Sequence, residues 1–275
     1  MKLVSFVHDC SERYGIAVQG GVVDIPGCDA GAPPSIIDFI RLRDEGPSEF
    51  SRLLAECESG EVIPNAEVQF LPCIPHPSKI ICLGVNYHDH AAEGGNKVAD
   101  YPTIFLRGPS SLIGHLGKIP LSRVSDKLDY EAELALVIGK AAKDVTEERA
   151  LDHVFGYACF NDATFRDYQR KTTQWTIGKN FDATGGFGPW IVLADELPPG
   201  AVGLHIESAT RTIDTILCPR SSPAAPGFRC RSPMIGRHSP SPSRTTPDSG
   251  APRRITCRWS RRFRCARSSG TTPSW

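Results

Sequence analysis

The stretch that most constrains this chain is Asp129–Gly139, DYEAELALVIG. Leu, Val and Ile run to a glycine with no helix-capping residue in sight, which predicts a strand. Side chains alternate across a strand, so Tyr130, Ala132, Leu134, Leu136 and Ile138 share one face, and Glu131, Glu133, Ala135 and Val137 the other. Both faces are largely apolar, the pattern of a strand covered on both sides. Two carboxylates on one face of such a strand repel each other and are costly to desolvate. Either a divalent cation is bound between Glu131 and Glu133, or the acids stand where the strand emerges into water.

With 275 residues and 29.9 kDa, the chain has ample material for a core, in one large domain or two smaller ones. Its hydrophobic content of 40% and formal net charge of +0 describe an ordinary soluble protein. No apolar run is long enough to span a bilayer, and the N-terminus, MKLVSFVHDC, lacks the apolar core of a signal peptide. A cytoplasmic location and no membrane partner are expected by default. The ten cysteines include no C-x-x-C pair, which argues against a zinc site or a disulfide framework. Cys82 and Cys159 lie in apolar runs and are predicted to be small buried hydrophobes.

Residues 1–70 read as a small β-rich N-terminal domain. LVSFVHD and YGIAVQGGVVDI predict short strands, with a Gly-Gly turn between the second and third, and IIDFIRLRDEG and SEFSRLLAECESG carry helical spacing. His8 and Asp9 read as surface polar residues. A Pro-rich linker occupies 71–78, and a second domain opens with the apolar strand KIICLGVNY. In the following HDHAAEGG, His90 and Glu93 are three residues apart. On a short helix they touch, and the pair would orient an imidazole as a general base; in a solvated turn they are polar residues without a role. KDVTEERALDHVFG predicts a helix capped by Thr146. If the chain turns helical after Asp162, then Asp162, Arg166 and Gln169 share one face, either as a polar pocket wall or as a surface ion pair. Lys179 falls in a Gly-flanked loop, followed by the apolar strand WIVLA.

Taken together and in order, GVNYHDHAAE, PTIFLRGPSSLIG, DYEAELALVIG, FGYACFNDATFRDYQ and GKNFDATGGFGPW resemble the fumarylacetoacetate hydrolase family over residues 79–200. The resemblance implies a mixed β-rich (α+β) protein, with a β-roll catalytic domain of that type preceded by the small N-terminal β-rich domain. Position by position, it makes Glu131, Glu133 and Asp162 ligands of Mg²⁺ or Mn²⁺, hard cations suited to all-oxygen ligation. It makes His90 and Glu93 the water-activating dyad, and Arg166, Gln169 and Lys179 the groups that bind substrate, Lys179 also stabilising developing charge. The implied reaction is hydrolysis of a carbon–carbon bond in a 2,4-dioxo acid of the acylpyruvate or fumarylpyruvate type. Decarboxylation or isomerisation of a related oxo-dicarboxylate is the alternative on the same metal site.

The resemblance ends near Glu207, leaving a truncated catalytic segment at 79–207. From Ser208 onward there are 13 arginines, no lysine and no glutamate, and Asp214 and Asp248 are the only acids. Residues 208–275, rich in Arg, Ser and Pro, are expected to be disordered. The abrupt change of composition is the signature expected of out-of-frame translation of a G+C-rich gene. A genuine polyanion-binding tail is the competing reading, and it ranks lower because the arginines are interspersed with prolines and no aromatic platform accompanies them. A homodimer, common in the family, and activity itself both depend on what the altered C-terminal segment leaves intact; an inactive remnant is the third reading.

Overall fold

The structure is a computed structural model that describes residues 1–84, 86, 101–209 and 254–258. Strands β1 (Lys2–His8), β2 (Ser11–Val18) and β3 (Gly21–Asp24) form an antiparallel meander. Its first turn, Asp9–Cys10, takes positive φ at both residues, the conformation that matches strand twist in a two-residue hairpin. Its second turn uses Gly20 at φ +86°, as the Gly-Gly pair predicts. The one-turn helix α1 (Ile25–Cys28) leads to α2 (Ile36–Glu45) and α3 (Pro47–Cys57), where helical spacing placed them. Ser35 caps α2, its Oγ accepting from the Asp38 N–H at 3.2 Å.

These helices bury an aromatic ladder against the sheet. Tyr14 and Phe39 lie 5.5 Å apart, Phe39 and Phe50 4.8 Å, and Phe50 meets Phe155 edge-on at 6.4 Å. Phe155 belongs to β11 (Val154–Asp162), so the core joins the N-terminal segment to the segment carrying the acidic strand. The backbone makes the same connection: β1 pairs antiparallel with β14 (Ile191–Leu193), Leu3 opposite Ile191. Strands β4 (Val62–Pro64) and β5 (Gln69–Phe70) extend the sheet beside β3 and β1.

The site-bearing part is built around β11. Its N-terminal half pairs with β14, its C-terminal end with β13 (Gly185–Phe187), and its whole length with β10 (Ala132–Ile138). Strand β13 also pairs, in parallel, with β8 (Leu112–Ile113). Two short ladders stand apart, β6 (Ile80–Gly84) with β7 (Thr103–Arg107), and β9 (Leu128–Asp129) with β12 (Thr164–Phe165). Leu112, Phe160 and Phe187 close the core below β13.

Several expectations are corrected. The acidic stretch is not one strand but β9 and β10, separated at Tyr130–Glu131 so that each half finds its own partner. On one face of β10 Val137 is buried and Glu133 and Ala135 are half-buried, but on the other Leu136 is 50% and Ile138 58% exposed, so the strand is not covered on both sides. The described part of KIICLGVNY is likewise not buried: Ile81 and Leu83 of β6, with Ile104 and Leu106 of β7, stand exposed because that two-stranded ladder has a single covered face. Cys159 is buried as expected, whereas Cys82 is intermediate. The helix after Thr146 is one turn, Glu147–Ala150, continued by a 3₁₀ turn. Of residues 208–275, the structure describes 208–209 and 254–258, where His205–Ala209 and Arg254–Arg258 pair in parallel; the expected disorder of the rest lies outside the described residues. No helix among the described residues is long and apolar enough to cross a membrane.

His115 packs edge-on against Phe70 at 5.7 Å, and burial lowers its pKa to about 4. The unfolded chain therefore binds the proton first, so the neutral imidazole supports folding above pH 6.5 and that support is lost as pH falls to 4. The acid limb of the stability profile should cost the wild type up to about 3 kcal/mol more than His115→Gln over this window, measured by urea unfolding. Parallel profiles would show that His115 is not neutral in the folded protein.

Candidate active site

Three elements converge at the C-terminal end of β11. Asp162 closes that strand, Glu131 precedes β10, and the one-turn helices Arg166–Gln169 and Thr176–Lys179 follow in the chain. The backbone locks the first two together: the Asp162 N–H donates to the Glu131 carbonyl at 2.9 Å, and the Glu131 N–H donates to Asn161 Oδ1 at 3.2 Å. Gly178 permits the two helices to meet, since a Cβ there would lie 2.4 Å from the Gln169 backbone nitrogen.

The side chains form a row of alternating charge. Arg107 Nη1 donates to Asp162 Oδ1; Lys179 Nζ donates to Asp162 Oδ2 and, at 2.6 Å, to Glu131 Oε2. Arg166 Nη1 pairs with Glu131 Oε1, while its Nε donates to Asp129 Oδ2 at 2.9 Å. The side chains of Arg107, Lys179, Asp162 and Glu131 are 0%, 2%, 6% and 9% exposed. Glu131 thus does not stand in water at a strand end. Burial penalises each charge, and each is matched by an opposite charge in contact. For Arg166, burial works against the charge, but Glu131 and Asp129 outweigh it and the guanidinium is held above its ordinary pKa. Cys82 lies near the row; burial first and the Asp162 charge second push its thiol up to about 12, so it remains protonated.

The predicted set is largely brought together. Glu131, Asp162, Arg166 and Lys179 join in one network, and Gln169 Oε1 accepts from Arg166 Nη1 at 3.0 Å. Glu133 is half-buried on β10. His90 and Glu93 lie outside the described residues. Two local expectations change. Residues 162–169 are not one helix, because Thr164–Phe165 form β12 against β9; Arg166 therefore reaches Glu131 and Asp129 rather than Asp162. Lys179 stands on a helical turn rather than in a loop. Sequence reasoning missed Arg107, Ser111 and Thr184, which lie beneath Asp162. The sequence signal that was available is an arginine ending an apolar strand at FLRG, where a charge has no place unless it is paired.

Glu131 and Asp162 fit a divalent cation in charge and donor type: two buried carboxylates already hold a positive group, the Lys179 ammonium, between Oε2 of one and Oδ2 of the other. Among the described residues, no three His, Cys, Asp or Glu side chains converge closely enough to hold a metal ion. Lys179→Met should leave the two carboxylates facing each other and destabilise the metal-free protein by about 3–5 kcal/mol. Added Mn²⁺ should raise the unfolding midpoint of this variant more than that of the wild type. Unchanged stability in Lys179→Met would mean that the ammonium does not bridge the acids.

Residues 79–214 match the family described as fumarylacetoacetate (FAA) hydrolase C-terminal. The chain is 36% identical over 202 residues to a mitochondrial oxaloacetate tautomerase of Xenopus laevis, covering 71% of this chain and 62% of that protein, so it spans about three fifths of that relative's length. It shares 30% identity and a TM-score of 0.56 with a maleylpyruvate hydrolase from Sphingobium sp. SYK-6, solved with manganese(II) and pyruvate, over 71% of this chain and 68% of that one. With the fumarylacetoacetate hydrolase of the psychrophile Exiguobacterium antarcticum it shares 31% identity and a TM-score of 0.53, covering 73% and 69% of the two chains. The chain belongs to the fumarylacetoacetate hydrolase family.

Proposed function

We propose that the chain carries the site of a divalent-metal-dependent hydrolase that cleaves a carbon–carbon bond in a 2,4-dioxo acid of the acylpyruvate or fumarylpyruvate type. The observation that carries this reading is the buried row in which Lys179 lies between Glu131 and Asp162, with Arg166 and Gln169 beside it. Glu131 and Asp162, with Glu133 from the same face of the acidic stretch, would hold Mg²⁺ or Mn²⁺. Such an ion, when bound, supplies Lewis-acid polarisation of the substrate's 2-oxo group.

The remaining work falls to this chain's own side chains. Arg166 and Gln169 would seat the substrate carboxylate. His90, oriented by Glu93, would take a proton from water, and the resulting hydroxide would add to the distal carbonyl. Collapse of that adduct breaks the bond to the neighbouring carbon and leaves a carboxylic acid and the enolate of a 2-oxo acid. Lys179 would stabilise the negative charge on the enolate oxygen until a proton returns to carbon. The maleylpyruvate hydrolase relative, crystallised with manganese(II) and pyruvate, supports this direction of chemistry.

The tautomerase relative favours a second reading, in which the same residues stabilise an enolate without attack by water, as in isomerisation or decarboxylation of an oxo-dicarboxylate. One pair of variants separates the two. Glu131→Gln should lower either activity at least ~100-fold, because it removes a carboxylate from the row. His90→Ala should lower acylpyruvate hydrolysis by about 10²–10⁴-fold, followed as pyruvate release, while leaving enol–keto conversion of oxaloacetate intact. Hydrolysis that survives in His90→Ala would overturn the hydrolase reading. Full activity in Glu131→Gln would overturn the site.

A further inference from the structure

We propose that Arg107 is the positioning residue that fixes Asp162, so that one carboxylate oxygen is committed to the protein and the other is presented to the site. This rests on the reading of Asp162 as a metal ligand. The Arg107 side chain is 0% exposed, and every hydrogen bond it makes is internal. Nη1 donates to Asp162 Oδ1 and to the Ala163 carbonyl at 3.4 Å; Nη2 donates to Thr184 Oγ1 at 2.8 Å; Nε donates to Ser111 Oγ at 3.2 Å. The fork is therefore anchored at both ends by hydroxyls that are themselves tied down. Ser111 donates to the Gly108 carbonyl at 2.7 Å, and Thr184 to the Phe181 carbonyl at 2.6 Å.

The surroundings are shaped to this guanidinium. A Cβ on Gly185 would lie 3.0 Å from both Nε and Nη2, tighter than most Cβ contacts, so the fork would have to shift by a few tenths of an ångström; the glycine opposite Asp162 in the β11–β13 ladder leaves it in place. The Phe160 ring lies 5.7 Å from Arg107 Cζ, adding a cation–π contact from the same strand that carries Asp162. Asp162 Oδ1 is thus held by a planar, permanently charged group, and Oδ2 points to Lys179, on the side of Glu131. Ligand-orienting partners of this kind typically change metal affinity by about 10–100-fold when removed.

A lysine at this position keeps the charge but loses the fork, and a valine at position 184 keeps the charge and the Asp162 contact but loses one anchor. Mn²⁺ binding, measured by the electron paramagnetic resonance signal of the free ion, is expected to weaken about 10-fold or more in Arg107→Lys and several-fold in Thr184→Val. Far-ultraviolet circular dichroism of the metal-free proteins should be unchanged. A merely structural role would instead lower the unfolding midpoint of both variants with the Mn²⁺ dissociation constant unmoved, and that result overturns the proposal. Asp162→Asn provides the control on the underlying reading. If it leaves Mn²⁺ binding intact, the metal site is wrong; if it abolishes binding while Arg107→Lys and Thr184→Val bind as the wild type does, the positioning role alone fails.

Discussion

The row Arg107–Asp162–Lys179–Glu131–Arg166–Asp129 is the arrangement on which the site depends. Three cations and three carboxylates alternate, so each buried charge has an opposite neighbour and the row as a whole is neutral. Apolar side chains of the same volume would fill this space at less cost, since desolvating charges offsets most of what their attraction gains. What the row supplies is placement. Its carboxylate oxygens and its ammonium are held at fixed positions before any ligand arrives, which is what electrostatic catalysis requires. The members come from the ends of strands and from one-turn helices, not from one continuous element. A rigid β11, paired along its length, is therefore the base on which the whole row is mounted.

The fold explains why charges can be buried here at all. Strand β11 is covered by the aromatic ladder on its Phe155 side and by Phe187 near its end, so its backbone is fixed from both ends. Side chains at the terminus of such a strand lose little further entropy when they become ordered. The backbone bonds linking Asp162 to Glu131 then transmit that rigidity to the second carboxylate.

Much of this was legible in the chain. The acids at 131 and 162, the cations at 166 and 179 and the amide at 169 were identified from strand alternation and family resemblance, and the structure gathers them. The N-terminal strands and helices followed from turn glycines and helical spacing, because local chemistry decides those elements. Arg107, Ser111 and Thr184 were not identified, because their link to Asp162 joins strands far apart in sequence and no local pattern records it. Alternation also misjudged β10 and β6. A period of two tells which side chains share a face and whether that face is apolar, but not whether another layer covers it, and Leu136, Ile138, Ile81 and Leu83 stand exposed. Breaks such as the one at Tyr130–Glu131 are set by which strand each half can pair with, which is a property of the assembled sheet.

The pairing of β1 with β14 has a consequence for the order of events during synthesis. Leu3 meets Ile191, a partner nearly two hundred residues away, whereas the other end of the same strand edge meets β5 at Phe70. Until β14 is made, the Lys2–Leu3 end of that edge stays open to any other extended chain it encounters. The charged row likewise joins distant segments, Arg107 with Asp162 and Lys179 with Glu131, so its assembly depends on long-range contacts rather than on the local preferences of the residues that compose it.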